Sequence, residues 1–154
     1  MRSGEIGMKD YIEQQIIEAI RKLLTGQVNE ILRNSPSVIP VIEFGDYGCG
    51  YGVAPAIVLS ACERTEKERI VRLDAYSLTI TFSLPDTQES ELYCYAYSGA
   101  VGRAIYDNPT LGGIADRAVV TGKKYLSPKK PNCGEGWQLV IGLRVTIESL
   151  GNEG

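Results

Sequence analysis

Residues 137–148 read WQLVIGLRVTIE, and their alternation decides the fold. Trp137, Leu139, Ile141, Leu143, Val145 and Ile147 fall on one face of an extended chain. Gln138, Arg144, Thr146 and Glu148 fall on the other, with Val140 and Gly142 between them. Side chains of a strand alternate between faces, so this is a strand with one face on a core. The same period runs through Tyr76, Leu78, Ile80, Phe82 and Leu84. Upstream, Val71 and Leu73 lie in the opposite phase. A period of two cannot change face without an extra residue, so the sequence predicts a bulge near Asp74–Tyr76. Ala56 to Cys62 is a partner strand, Glu63 to Glu68 a charged connection, and 56–84 a long bent antiparallel hairpin.

Helical spacing brackets this hairpin. Ile12, Ile16, Ile20 and Leu23 make an apolar stripe over 8–24, widened by Ile17 and Leu24. Such a stripe must bury against something, because a single short helix is marginal in water. Val28, Ile31 and Leu32 form a second short apolar set before the Asn34-Ser35-Pro36 breaker. Val38 to Phe44 reads as an edge strand interrupted by Pro40. Asp86 followed by Glu89 marks a second helix start, running to about Asp107. Its expected inner face is Leu92, Tyr95, Ala96, Gly99 and Ile105. Ile114 to Thr121 is a mixed strand. The order α-β-β-α-β-β predicts an α+β fold, a four-stranded antiparallel sheet with helices packed on one face. A chain of 154 residues makes one domain, with flexible segments at 1–7, 44–55 and 121–136.

Chemistry is thinly represented. There is no histidine, which removes Ser-His-Asp and Cys-His catalysis and histidine-ligated zinc. Cys49, Cys62, Cys94 and Cys133 stand 13, 32 and 39 residues apart, not in the close pairs of a four-cysteine zinc site. They read as buried or inert thiols, without a disulfide, in a reducing compartment. Gly48, Gly50 and Gly52 invite a phosphate-loop reading, but no Lys-Ser or Lys-Thr follows, and Val53 stands where the dinucleotide motif needs glycine. A surface loop is the simpler account. Asp86, Glu89 and Glu91 suit a helix start, where the dipole favours negative charge. The net charge is −3, unlike the basic excess of a nucleic-acid binder. No apolar run is long enough to cross a bilayer, and no signal-type segment opens the sequence.

Two features point to a contact surface. Lys123, Lys124, Lys129 and Lys130 surround Tyr125, either as a basic arm for nucleic acid or an acidic partner surface or as a solvated loop whose lysines keep it soluble and guard a sheet edge. Tyrosines number 9 against 2 phenylalanines, and tyrosine favours surfaces that are half dry and half wet. Tyr93, Tyr95 and Tyr97 cannot all point inward on one helix, so at least one is exposed.

Residues 107–128, DNPTLGGIADRAVVTGKKYLSP, followed by WQLVIGLRVTIES at 137–149, resemble the tail completion (tail terminator) proteins of long-tailed bacteriophages. That family has an N-terminal helix, a hairpin, a second helix ending near a D-x-TLGG turn, a variable arm and a final alternating strand. The turn here is Asp107-Asn108-Pro109-Thr110-Leu111-Gly112-Gly113. The resemblance follows the element order over most of 8–149 and the recognisable sequence over 107–149; the segment 36–55 has no counterpart in it. It implies a structural virion protein at the tail end or neck, assembled in the host cytoplasm, with no catalytic residue, cofactor or metal. Its partners are other copies of itself in a hexameric ring, monomeric when dilute, then the tail tube protein and the head connector protein. No membrane is involved, and DNA contact is confined to the inside of the ring. Lys123, Lys124, Tyr125, Lys129 and Lys130 are the candidate ring or partner contacts. The alternatives are a head-closure connector of the same neck, or a histidine-free small-ligand domain or enzyme.

Overall fold

The computed structural model describes residues 11–45, 53–67, 70–128 and 136–150. The segment 1–7, the glycine loop 48–52, and Lys129 and Lys130 lie outside the described residues. One antiparallel sheet has the order β1-β2-β4-β3, with β1 at Ala56–Lys67, β2 at Val71–Leu84, β3 at Arg117–Leu126 and β4 at Trp137–Leu150. Helices α1 (Ile12–Leu23) and α2 (Asn29–Arg33) precede the hairpin, and α3 (Ser90–Asp107) separates it from β3. This is the α+β architecture read from the alternation.

One apolar core joins the layers. Ile16, Ile20, Leu24, Val28 and Leu32 supply it from the helical rod, Leu78, Ile80 and Phe82 from β2, and Leu139, Ile141, Leu143 and Val145 from β4. Each fully buried aliphatic or aromatic side chain contributes roughly 1.5–3 kcal/mol. The rod residues recur every fourth position, a spacing that drifts around an α-helix of 3.6 residues per turn. A wide π turn at Leu24–Val28 between α1 and α2 corrects the drift and keeps the stripe on the core. Val28, Ile31 and Leu32, read as a separate set, therefore continue the first helix.

Four local expectations are corrected. The charged connection 63–68 is largely strand: β1 runs to Lys67, with Arg64 opposite Asp74 and Glu66 opposite Arg72. β2 pairs with β4 without interruption, so no bulge lies near Asp74–Tyr76. The extra residue is Ser60 in β1, where the register shifts between Leu59 and Ala61. Asp74 shares a face with Tyr76 and Leu78 and is buried there because Arg64 neutralises it with bonds of 2.7 and 3.1 Å. Val71 and Leu73 thus sit on the opposite face with no change of phase. Thirdly, Val38 to Phe44 is not a strand; it makes one parallel bridge, Ile42 to Val53.

The fourth correction concerns α3. It begins at Ser90, and neither Asp86 nor Glu89 caps it through a side-chain bond. The Ser90 hydroxyl instead bonds the Pro85 carbonyl and the Thr87 hydroxyl. Its inner face is Cys94, Tyr97, Ser98, Val101, Ala104 and Ile105. Leu92 and Tyr95, expected inside, are 48% and 51% exposed. Small residues at Ser98, Ala100 and Ala104 let the helix lie close to the sheet, and Tyr97 stacks on Phe82 at 4.7 Å.

Candidate assembly surface

The sheet ends in two edges, β1 and β3, and the lysine cluster lies on the second. Lys123, Lys124 and Tyr125 belong to β3, paired with Ile141, Val140 and Leu139. Residues 121–126, expected as the start of an arm, are strand, with Gly122 to Leu126 in register with β4 and Thr121 as the bulge. That bulge lies between Val120 and Gly122, opposite Gly142, where a Cβ would come within 2.8 Å of the Thr121 hydroxyl.

The bulge sets which way each side chain points. Ala118 and Val120 face the helices before it; Lys123 and Tyr125 face them after it. Lys123 Nζ donates to the Ser98 carbonyl at 3.0 Å, and the Tyr125 and Ser98 hydroxyls are 2.6 Å apart. The Tyr125 ring tilts against Tyr95 at 5.7 Å. Two of the five candidates therefore converge on Ser98 and clamp β3 to α3, each bond contributing about 0.5–1.5 kcal/mol. Lys124 stays exposed on the uncovered face. The edge-guarding account of these lysines fits their place in the sheet.

That uncovered face is smooth and mostly uncharged at its centre. β2 contributes Ser77, Thr79, Thr81 and Ser83, and β4 contributes Val140 and Gly142 beside them. Arg117, Lys124 and Arg144 are exposed on its β3 and β4 side. The β1 edge is held more lightly. The Ser60 hydroxyl donates to the Ser77 carbonyl at 3.1 Å, and Arg64 pairs with Asp74. Beyond those, Val58, Glu63 and Glu66 are exposed.

At the corner between α3 and β3 the chain takes positive φ three times in succession, +50° at Leu111, +76° at Gly112 and +97° at Gly113. Glycine adopts this backbone freely and leucine does not. Leu111 is held there by burial of its side chain and by its N–H bonding the Asn108 carbonyl at 3.1 Å. The Asn108 side chain donates to the Ala104 carbonyl and to Gln27 of the helical rod. The Pro109 carbonyl accepts the Ala118 N–H at 2.7 Å, so the corner covers the first rung of the β3 edge. An open cleft of about 1030 Å³ runs between this corner and α1, lined by Gln14, Glu18, Arg21, Lys22 and Leu111. Ile17, Leu23 and Ile114 also line it, and it lies open to solvent, unlike the enclosed walls of a small-molecule pocket.

Among the described residues, no shifted group is moved towards neutral reactivity. Burial pushes the Tyr76 phenol up to about 12 and raises Tyr97 and Cys94. Desolvation, with Asp74 nearby, raises the Cys62 thiol, although that residue is exposed on β1 and not buried as expected. Tyr95 is raised because its hydroxyl donates to Glu91 at 2.7 Å. The Arg64 bond holds Asp74 low. A nucleophilic cysteine needs the opposite shift. Among the described residues, no three acidic or sulfur side chains gather as a metal site, and no helix is long and apolar enough to cross a membrane.

Sequence reasoning missed Asn29. Its amide donates to the Ile42 carbonyl at 2.8 Å and accepts the Ile42 N–H at 2.7 Å, imitating a strand rung. A lone asparagine in a helix gives no signal for this; only the apolar Ile39 and Ile42 nearby in sequence hinted that the segment docks. Ser98 and Pro109 were equally silent. No protein-family model and no curated protein matches the chain.

Proposed function

We propose that this protein is a structural component of a long-tailed bacteriophage. It caps the tail tube as a ring, ends tail polymerisation and presents the surface that joins the head. It uses no catalytic residue and no cofactor in this role. The observation that carries the reading is the corner Asp107–Gly113 in its setting. A helix, a hairpin, a second helix, this turn and two strands follow one another in the order that the resemblance implies. The two unlike sheet edges support it further, since a head-to-tail ring needs two different surfaces on each copy.

The test images the purified protein mixed with tail tubes and with heads. Density at tube ends, as a ring of about 101 kDa from six chains of 16.8 kDa, supports the terminator role. Density on the portal side alone replaces it with the connector role. A chain that binds neither, at any concentration, removes both.

A further inference from the structure

Three antiparallel pairings separate β1 from β3, so the two edges run in opposite directions. A second copy placed alongside, related by rotation about an axis near the strands, brings its β1 beside β3 antiparallel. This is the pairing already used throughout the sheet. Among the described residues no further strand pairs with either edge, and the backbone groups of an edge strand are templates for a further strand.

The rungs that cross the sheet match its two ends to each other. Glu63, Ala75, Thr146 and Arg117 lie on one rung, with a carboxylate at one edge and a guanidinium at the other. Val58, Thr79, Gly142 and Gly122 lie on another. Val58 protrudes from the uncovered face, 52% exposed, while a Cβ at Gly122 on that same face would meet nothing within 4 Å. A third rung runs Leu59, Leu78, Leu143, Val120, and each edge takes its extra residue next to it, Ser60 and Thr121. The two edges therefore bend at one height. All three charges on β3, Arg117, Lys123 and Lys124, are positive. On β1, Arg64 is engaged by Asp74 and the carboxylates Glu63 and Glu66 are exposed.

We infer that β3 of one copy pairs with β1 of the next in the register that prolongs the existing rungs. The next copy's Val58 then sits beside Gly122, and its Glu63 meets Arg117. Pairing of backbone begins past Ala118, whose N–H is held by Pro109, and extends to Leu126. The inference rests on the ring reading. Six copies joined this way place about twenty-four strands in one closed sheet, and sheets beyond about sixteen strands leave an open channel.

The test is a covalent trap. Within one chain, residues 58 and 122 sit on opposite edges, three strand spacings of about 4.8 Å apart, so a disulfide between them must join two molecules. The doubly substituted protein Val58→Cys with Gly122→Cys, in a background where Cys49, Cys62 and Cys133 are replaced by Ser and the buried Cys94 is kept, is oxidised alone and on tail tubes. The expected result is a ladder of linked chains, with a 58–122 bond found by peptide mapping and at most dimers from either single substitution. A second pair guards against misfolding. Arg117→Glu and Glu63→Arg should each lower self-association at least tenfold, and their mixture should restore it, since alternating copies re-form every contact. Rings or capped tubes without a 58–122 bond, and with no effect of the charge changes, overturn the inference and leave the ring reading standing. Linked chains that never cap tubes do the reverse. A wild-type chain that stays monomeric at millimolar concentration and on tube ends overturns both.

Discussion

The two edges of the sheet are secured by different means. β3 is clamped: α3 holds it through Lys123 and Tyr125, and the preceding corner holds Ala118. Among the described residues no helix bond to β1 is seen; it is held by its rungs to β2, the Ser60–Ser77 bond, a half-buried Ile57 and Leu59, and the Arg64–Asp74 pair. Strand identity alone therefore does not set local stability. What matters is how many elements a strand touches besides its neighbour, and low-stability regions are those with few such contacts.

The comparison can be broken or sharpened by mutation. The largest effect belongs to the core that both edges share. Phe82→Ala removes a fully buried ring stacked on Tyr97 and should lower stability by about 3–5 kcal/mol in denaturant unfolding. A loss below 1 kcal/mol would mean the stack is not part of the core. Tyr125→Phe keeps the ring and deletes only the bond to Ser98, so a loss of about 0.5–1.5 kcal/mol is expected. Native-state hydrogen exchange of the same variant should speed up in β3 and leave β1 unchanged; equal changes in both would show that the clamp is not local.

A weaker effect is expected at the other edge. Asp74 is held below its ordinary value by Arg64, so its contribution is present above about pH 4, the unfolded value, and fades as pH falls through the lower folded value. Wild type should exceed Asp74→Asn in stability at pH 6 and converge on it at strongly acid pH. A difference that persists unchanged at low pH would assign the effect to packing. Least of all, Thr146→Ala on the uncovered face should stay within about 0.5 kcal/mol, since its hydroxyl makes one exposed bond of 3.3 Å to Arg117.

The clamp also marks how far a sequence can be read. β4 and the second half of β2 were legible because every second residue is apolar and buried, from Leu78 to Leu84 and from Leu139 to Val145. The stripe of α1 was legible for the matching reason. The face of α3 was not, because apolar and small residues surround that helix and periodicity has nothing to choose between. Only the sheet decides that Tyr97 goes in and Tyr95 out. The reversal at Asp74 misled because it resembled a slip in phase. In fact the core on the helix side ends at Tyr76 and Val145, and beyond it an ion pair occupies positions where apolar residues would otherwise point. As for the candidate contacts, the sequence put the lysines in an arm, whereas Lys123 and Lys124 lie in the edge strand β3. Composition could not show that Lys123 bends back to a helix carbonyl while Lys124 does not, because that depends on the one-residue bulge at Thr121.

The corner after α3 has a consequence for how its sequence drifts over time. Gly112 and Gly113 are confined to one residue type by their backbone, while Leu111 balances an awkward conformation, about 1–2 kcal/mol for a residue with a side chain, against a buried one. Replacing it with glycine relaxes the first and forfeits the second. Sequences that keep this helix-to-strand reversal should therefore keep glycine at positions 112 and 113 and an apolar residue before them, even where the surfaces on either side differ.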